Sequence, residues 1–281
     1  MSTYSYHICY HNQHNTDFNS ITSVSFDGGF NQVSSFGETE PIYSSRFDGE
    51  HIDYGFRWQN VAEIQIYMVK QDYQPYTQQE VRQMLKWLTG RRQCSWLTMF
   101  DEDGEEIVQF FGRFTVVDEK IADSRVLGFV CTFSATSPFG YSPLRTIEQK
   151  FTNQETLLVS NDTDDLDSLV RPYVTIVPTS KISKLTITNE TTNRQTVLQS
   201  IKANEKITID NQNMLVFSDN TLRVIGQDIY GIVDGDYRTN YPVWIELVPG
   251  VNKLIFDTNK EGGEVSYSIS YRYPMKVGST F

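Results

Sequence analysis

Residues 265–273 alternate between apolar and polar side chains without interruption, and this stretch constrains the fold more than any other. Serines and one arginine occupy every second position, and apolar or aromatic residues occupy the positions between them. Because successive side chains of a β-strand point to opposite faces, the pattern predicts a strand with one buried and one solvent-facing side. Its apolar set is Val265, Tyr267, Ile269, Tyr271 and Tyr273.

Two turn signals precede this strand. The glycines of Glu261-Gly262-Gly263-Glu264 predict a hairpin turn that pairs the strand with residues 251–256. Pro249-Gly250 predicts a second tight turn, which ends a strand around Trp244–Leu247. We therefore expect three consecutive strands that pair as a meander.

Composition favours an all-β protein and disfavours several classes of function. The 281 residues are 13% aromatic, and only one stretch has a convincing helical pattern. The net charge of −11 disfavours nucleic-acid or anionic-membrane partners, which need clustered Lys and Arg. No apolar run is long enough to cross a bilayer. Three widely spaced cysteines (Cys9, Cys94 and Cys131) offer neither a disulfide framework nor zinc spacing, so we expect no cofactor.

The helical stretch lies near residues 77–90. Thr77 and Glu80 have the spacing of a capping box, and apolar residues from Val81 to Leu88 recur at helical intervals. Gly90 is placed to end the helix. The helix is therefore amphipathic and packs one face on a sheet, with Trp87 expected to flank the apolar stripe.

Turn-forming residues divide the rest of the chain. Asp27-Gly28-Gly29 predicts a hairpin, residues 37–50 a longer loop, and residues 63–69 a strand. The prolines and glycine of residues 137–143 mark a domain boundary, which gives an N-terminal domain of residues 1–142 and a C-terminal domain of residues 143–281. The second domain has roughly eight predicted strands, a number typical of a jelly-roll sandwich, with a long excursion over residues 218–241.

Several clusters could carry chemistry, and each has a simpler structural interpretation. His7, Cys9, His11 and His14 could bind a metal, but a strand with exposed histidines is favoured because no second ligand pair is apparent. The aspartates of residues 162–167 resemble a calcium loop but fail the EF-hand register, and a solvated acidic loop is favoured.

Paired carboxylates could serve a glycosidase, but both pairs lie beside glycine turns where acids are common. They are Glu105-Glu106 and Asp234/Asp236. No established catalytic motif is present, so no catalytic or metal residue is predicted. Aromatic side chains around the long excursion are candidates for stacking on a glycan, although core or loop packing is favoured. They are Tyr230, Tyr237, Tyr241 and Trp244.

Three stretches together resemble the distal tail protein family of long-tailed phages that infect Gram-positive bacteria. The first is MFDEDGEEIVQFFGRF at residues 99–114. The second is the hinge CTFSATSPFGYS at residues 131–142, which contains Pro138 and Phe139. The third is LVPGVN, which contains Pro249, Gly250 and Asn252. The resemblance covers nearly the whole chain, except for residues 219–241.

The resemblance implies a structural role rather than catalysis. Such proteins form a homo-hexameric ring through an N-terminal β-barrel or β-sandwich domain, and their C-terminal galectin-like jelly rolls project outward. The ring joins the major tail protein to a tail-associated fibre or lysin, can anchor receptor-binding proteins, and lets DNA pass. The protein would be made in the host cytoplasm and end in the virion. A carbohydrate-binding module that contributes to cell-wall adsorption is the alternative.

Overall fold

The structure is a computed structural model that describes residues 4–26, 39–45, 51–58, 61–101, 103–220, 233–234, 243–261 and 263–276. The chain divides into two compact units. The first extends to Pro143 and also takes in the segment that begins at Pro274, whereas the second is Leu144–Tyr273. The boundary placed at residues 137–143 by sequence assigned that last segment to the second domain.

Antiparallel strands form most of the first unit, together with one short 3-10 helix and one α-helix. The helices are η1 (Asn15–Phe18) and α1 (Gln78–Thr89). The strands are β1 (Tyr4–Tyr10), β2 (Gln13–His14), β3 (Ser20–Phe26), β4 (Thr39–Ser45), β5 (His51–Trp58), β6 (Glu63–Lys70), β7 (Ser95–Phe100), β8 (Glu106–Ala122), β9 (Arg125–Ala135) and β10 (Gly140–Tyr141).

Six of these strands pair in a cycle. The order β1, β3, β6, β9, β8, β7 returns to β1, because β1 pairs with β3 through its first residues and with β7 through its last. The alternation predicted for residues 63–69 is confirmed, since Ile64, Ile66 and Met68 are buried on one face of β6. The arrangement gives the N-terminal unit one enclosed apolar core.

The predicted amphipathic helix is confirmed, and α1 buries Met84, Trp87 and Leu88 in this core. These three residues are spaced at i, i+3 and i+4, so they lie on one face of the helix, and that face is buried. Within the described residues, no helix has the length and apolar character needed to cross a membrane.

The described residues of the second unit contain ten strands. They are β11 (Arg145–Thr152), β12 (Gln154–Asn161), β13 (Tyr173–Pro178), β14 (Ile182–Asn189), β15 (Arg194–Ile201), β16 (Ile207–Asp210), β17 (Leu215–Ser218), β18 (Val233–Asp234), β19 (Gly250–Asp257) and β20 (Glu264–Tyr271). After them, β21 (Pro274–Met275) pairs with β10 in the first unit's sheet.

These ten strands form two five-stranded antiparallel sheets, in the orders β11-β20-β13-β16-β17 and β12-β19-β14-β15-β18. Phe256 of one sheet stacks on Tyr267 of the other, with ring centroids 4.4 Å apart. The sheets therefore face each other as a β-sandwich, and the predicted all-β class is confirmed.

The predicted C-terminal meander is wrong, although the alternation that suggested it is confirmed. Val265, Tyr267, Ile269 and Tyr271 are buried along β20. However, β20 pairs with β11 and β13, whereas β19 pairs with β12 and β14 in the opposite sheet. Alternation determines which face of a strand is buried but not which strand lies beside it. The local turn was expected to pair β19 with β20, but β12 pairs with β19 and β11 pairs with β20 instead.

The strand expected around residues 244–247 is also wrong. This segment has no ladder, and only Leu247 forms an isolated bridge, with Val170. Part of the loop expected at residues 37–50 is instead β4, which pairs with β5 in a separate two-stranded sheet. Pro41 is accommodated there because the pairing register shifts between Pro41 and Tyr43, and a proline is tolerated at such an irregularity.

The hairpin predicted at Asp27-Gly28-Gly29 lies outside the described residues. So does most of the excursion at residues 218–241, of which β18 is described and pairs with β15. Residues 106–122 form the single long strand β8.

Candidate assembly surfaces

A capping box fixes the start of α1. The backbone N–H of Thr77 donates to Oε2 of Glu80 (2.7 Å), and the backbone N–H of Glu80 donates to Oγ1 of Thr77 (3.3 Å). Lys70 of β6 lies 2.9 Å from the second carboxylate oxygen of Glu80. The hydrogen bond from the Thr77 backbone and the one from Lys70 lower the pKa of Glu80 to about 2. Glu80 therefore ties the helix to the neighbouring strand through its charge.

We expect the free energy of unfolding of the first unit to decrease as the pH decreases, because this carboxylate becomes protonated. The pKa of Glu80 is lower in the folded state than its ordinary value of 4.5, so its contribution is present above about pH 5 and is lost as pH falls towards 2. Because the side chain is about one-third exposed, we expect only about 1–2 kcal/mol. When unfolding by urea is measured at pH 7, Glu80→Gln should lower the free energy of unfolding by that amount. The difference from the wild type should vanish near pH 2.

The control for this measurement is Glu63→Gln, an exposed carboxylate at the start of β6. Its effect should stay within about 0.5 kcal/mol at both pH values. An equal effect of the Glu80 variant at pH 7 and pH 2 would show that the charge of this carboxylate does not hold the helix.

The sequence suggested that Trp87 lies at the edge of the apolar stripe, but it lies inside the core of the first unit. Its side chain is only 4% exposed. The indole N–H donates to the backbone oxygen of Tyr10 (2.9 Å), and the ring stacks on Phe18 with centroids 4.5 Å apart. Trp87 therefore joins α1 to β1 and η1.

Four exposed cations gather where α1 ends and β7 begins: Lys86, Arg91, Arg92 and Arg113. We call this group the basic pole. Burial raises the pKa of Tyr10, and the charges of Arg91 and Arg113 both oppose that rise, so the two guanidinium groups lie near the same phenol. Beside the pole is a cleft of about 610 Å³, whose lining includes Lys86, Arg91, Trp87, His11 and one carboxylate, Asp17.

Four carboxylates gather at the other end of β7, where the chain turns into β8: Asp101, Asp103, Glu105 and Glu106. We call this group the acidic pole. The side chain of Asp101 accepts the backbone N–H groups of Asp103 (3.0 Å) and Glu105 (2.8 Å), which orders the turn. The side chains of Asp103, Glu105 and Glu106 are exposed.

The two-stranded ribbon β4–β5 carries large apolar side chains in contact with solvent. Tyr43, Tyr54 and Phe56 are each more than half exposed, and Ile42 is 43% exposed. No other described strand pairs with the ribbon. An isolated two-stranded ribbon is marginally stable in water, and clustered exposed apolar residues mark interaction sites. The ribbon is therefore a candidate contact surface.

The turn Leu-Val-Pro-Gly-Val-Asn of the second unit is held by the fully buried side chain of Asn252. Its Nδ2 donates to the backbone oxygens of Val248 (2.7 Å) and Gly250 (3.2 Å), and its Oδ1 accepts the N–H of Val248 (2.9 Å). Gly250 has a φ of +89°, which disfavours any residue with a side chain. Pro249 is half-buried between them.

The chain just before this turn is held by buried polar side chains that sequence reasoning missed. Asn211 accepts the N–H of Ile245 (2.8 Å), and Asn189 and Asn161 donate to the carbonyl oxygens of Glu246 (2.8 Å) and Leu247 (3.0 Å). These contacts replace a strand ladder, because buried backbone groups must find partners somewhere. These asparagines lie at the ends of β12 and β14 and just after β16, and a single polar residue at a strand end gives no periodic signal.

Glu246 is a buried carboxylate that the sequence also gave no reason to select. Its side chain is 9% exposed and pairs with Arg171 (3.1 Å) and with Arg194. Two cations satisfy one carboxylate, which is the usual condition for burying a charge. These three residues belong to the β-sandwich of the second unit.

Residues 131–142 are the hinge stretch that resembles distal tail proteins. Within it, Phe139 is buried in the core of the first unit, and its backbone N–H donates to Oγ of Ser137 (3.1 Å). Pro138 is half-buried beside it.

The histidine cluster is brought together only in part. His7 and His14 lie 2.9 Å apart through Nε2 and Nδ1, and both are half-buried instead of exposed as expected. Burial, followed by the neighbouring charge of His14, lowers the pKa of His7. His11 lies apart from this pair, near Arg91. Within the described ranges, no three His, Cys, Asp or Glu side chains are arranged to hold a metal ion.

The acidic clusters are placed as parts of loops and turns. Asp162 forms an ion pair with Arg145 (3.2 Å), and Asp164 and Asp167 are exposed. Glu106 accepts a hydrogen bond from Gln109 (3.2 Å) beside the β7–β8 turn. For Asp234 only the backbone is described, in β18, and Asp236 lies outside the described residues.

Three of the four aromatic residues proposed to stack on a glycan also lie outside the described residues, namely Tyr230, Tyr237 and Tyr241. Trp244 is half-buried next to the segment held by buried asparagines. A glycan site here stays a prediction.

Two family models match consecutive parts of the sequence. The model described as a phage tail protein N-terminal domain matches residues 4–137, and the model described as a phage tail C-terminal domain matches residues 139–232. The chain belongs to this family of phage tail proteins. No curated protein matches the sequence.

Solved structures place this phage tail protein in a known fold. It is similar to the crystal structure of the Dit protein (gp 19.1) of phage SPP1, described as a paradigm of hub adsorption apparatus in phages that infect Gram-positive bacteria. The identity is 15%, the TM-score is 0.60, and the match covers 95% of this chain and 99% of that chain. The two proteins share a fold, and the resemblance to distal tail proteins drawn from the sequence is confirmed.

Two more distant structures match with TM-scores below 0.5 and carry no argument. One is the baseplate of phage p2 in its activated conformation with Sr, with a TM-score of 0.48 and 9% identity over 95% of this chain and 97% of that chain. The other is a family 43 arabinoxylan arabinofuranohydrolase from Bacillus subtilis in complex with cellotetraose. Its TM-score is 0.22 and its identity 10%, over 92% of this chain and 52% of that chain.

Proposed function

We propose that this phage tail protein is a non-enzymatic hub at the tail tip, present as a homo-hexameric ring. The observation that carries the proposal is the fold shared with the SPP1 hub protein over nearly the full length of both chains. The ring would join the major tail protein to a tail-associated fibre or lysin, and its periphery would anchor receptor-binding proteins. DNA would pass through its centre during infection.

The charge of the chain supports a pore that conducts DNA. Affinity for a nucleic-acid backbone rises with each Lys or Arg that contacts a phosphate, so a lumen poor in cations retains the polyanion less. Six copies of a chain with net charge −11 also repel one another. Contacts between subunits must therefore outweigh that repulsion, and ring symmetry requires that each contact joins two different faces of the chain.

Mass in solution tests the proposal. Light scattering of the purified protein should give six times the chain mass of 32.4 kDa. A single monomeric species at high protein concentration would count against a hub. Zymography on host cell walls should show no clearing, and a cleared zone that purifies with the protein would contradict the non-enzymatic role.

The apolar ribbon is expected to contribute to the contact between neighbouring copies. Replacing Tyr54 and Phe56 together by serine should raise the protein concentration needed for half-assembly by at least about tenfold, because buried aromatic residues dominate most interfaces. The stability of the subunit should change little, because both side chains are more than half exposed before assembly.

The matched control replaces Leu158 and Leu166 by serine. Both are exposed apolar residues of the second unit, at 63% and 75%. This variant should assemble as the wild type does. Equal assembly of both double variants would remove the ribbon from the interface.

A further inference from the structure

The two poles of the first unit carry opposite charge. Among the described residues, the basic pole has four cations and the acidic pole has four carboxylates. Arg91 and Arg92 lie just before β7 and the acidic turn lies just after it, and Ser95 pairs with Gly112, the residue before Arg113. The six residues of β7 therefore separate the poles by about 20 Å, at about 3.3 Å per residue.

Among the described residues, no member of either pole takes part in an ion pair. A cation near the carbonyl end of a helix is favourable by itself, which accounts for Lys86 and Arg91 but not for Arg113 on β8. Nor does it account for an ordered turn that presents three exposed carboxylates at the opposite end of the same strand.

The expected partner of each pole is the other pole on a second copy of this chain. In a protein of net charge −11, the basic pole is a place where another acidic copy can approach without repulsion. The cleft beside it, about 610 Å³, is lined by Lys86 and Arg91 and gives the basic pole a concave surface. A contact that joins two different faces repeats from copy to copy and closes into a ring when the rotation permits.

We propose that neighbouring subunits of the ring meet head to tail, with the acidic pole of one subunit seated against the basic pole of the next. The inference rests on the proposed ring and adds its polarity. The charged contact selects orientation and register, and apolar contacts such as the ribbon supply the burial that exposed ion pairs do not.

Charge reversal tests the contact. One triple variant makes both poles acidic: Lys86→Glu, Arg91→Glu and Arg92→Glu. The other makes both poles basic: Asp103→Lys, Glu105→Lys and Glu106→Lys. Each should raise the concentration for half-assembly by at least about tenfold, because like charges then face each other. Mixed in equal amounts, the two variants should assemble again. A subunit with two acidic poles can alternate with a subunit with two basic poles around a ring that has an even number of subunits.

Matched controls carry the same changes in charge on the second unit. One control is Lys184→Glu with Lys202→Glu and Lys206→Glu, and the other is Glu148→Lys with Asp164→Lys and Asp167→Lys, all at exposed positions. These controls should assemble as the wild type does, and circular dichroism should show that all four variants fold. If either reversal variant fails to fold, a single chain that carries all six reversals takes its place; its poles have exchanged sign, so it should assemble alone.

The outcomes separate the inference from the proposed function. If the wild type forms a ring and the reversal variants form it equally well, the proposed contact between the acidic and basic poles is wrong and the hub proposal stands. If the reversal variants are monomers that do not recover on mixing, the poles act separately and the pairing is wrong. If the wild type itself forms no ring, the hub proposal fails and the inference fails with it.

Discussion

Replacing Trp87 by alanine is expected to lower the free energy of unfolding of the first unit by about 4 kcal/mol, because truncation of a buried tryptophan typically costs about 3–5 kcal/mol. The side chain is 4% exposed and stacks on Phe18. Its removal leaves a cavity between α1 and η1 and leaves the backbone oxygen of Tyr10 without its donor. Urea titration followed by hydrogen exchange of peptides from each unit will measure the two units separately.

Trp87→Phe separates packing from hydrogen bonding. It keeps an aromatic ring in the core but removes the N–H, so we expect a loss of about 1–2 kcal/mol. Gln83→Ala, at an exposed position on the same helix, is the control and should stay within about 0.5 kcal/mol. If Trp87→Ala costs no more than the control, α1 is not held to the core through this residue.

Asn252→Ala is expected to destabilise the second unit by about 3 kcal/mol. The substitution removes the partners of the N–H and carbonyl of Val248, the carbonyl of Gly250 and the amide of Asn189. Each buried polar group left without a partner costs about 1–3 kcal/mol, although rearrangement of the turn recovers part of that. The same hydrogen-exchange measurement should show the loss in peptides of the second unit alone.

Val251→Ala is the matched control for this turn. Val251 is the neighbouring residue and is 60% exposed, so its truncation should cost less than about 0.5 kcal/mol. Equal stability of the Asn252 and Val251 variants would show that the turn keeps its shape without the buried amide, and that this residue of the LVPGVN stretch does not stabilise the fold.

Faces of strands could be predicted from the sequence, but their neighbours could not. The alternation of residues 265–271 correctly indicated which side chains of β20 are buried. The glycines before it suggested a local hairpin, yet β20 pairs over eight positions with β11, more than a hundred residues earlier. Periodicity carries no information on the partner, and pairing between distant segments is decided by how two whole sheets pack.

The helix was predictable because its signals are local. Thr77 and Glu80 contact each other across three residues, and the apolar spacing of α1 needs no other element to be recognised. The segment before Asn252 was not predictable for the opposite reason. Its backbone partners Asn161, Asn189 and Asn211 come from three separate parts of the chain.

The assembly surfaces differ in the same way. The acidic turn and the arginines after α1 are visible as sequence, but only the pairing of Ser95 with Gly112 places Arg113 at the same end of β7 as those arginines. The ribbon was missed because Pro41 suggested a loop, whereas a proline is compatible with an irregular edge pairing.

The central claim, that this chain exists to hold copies of itself in a ring, is tested most directly by electron microscopy of the purified protein. We expect closed rings of six copies around a central opening, with the first units forming the ring. Images that show only separate single subunits at high protein concentration would contradict it.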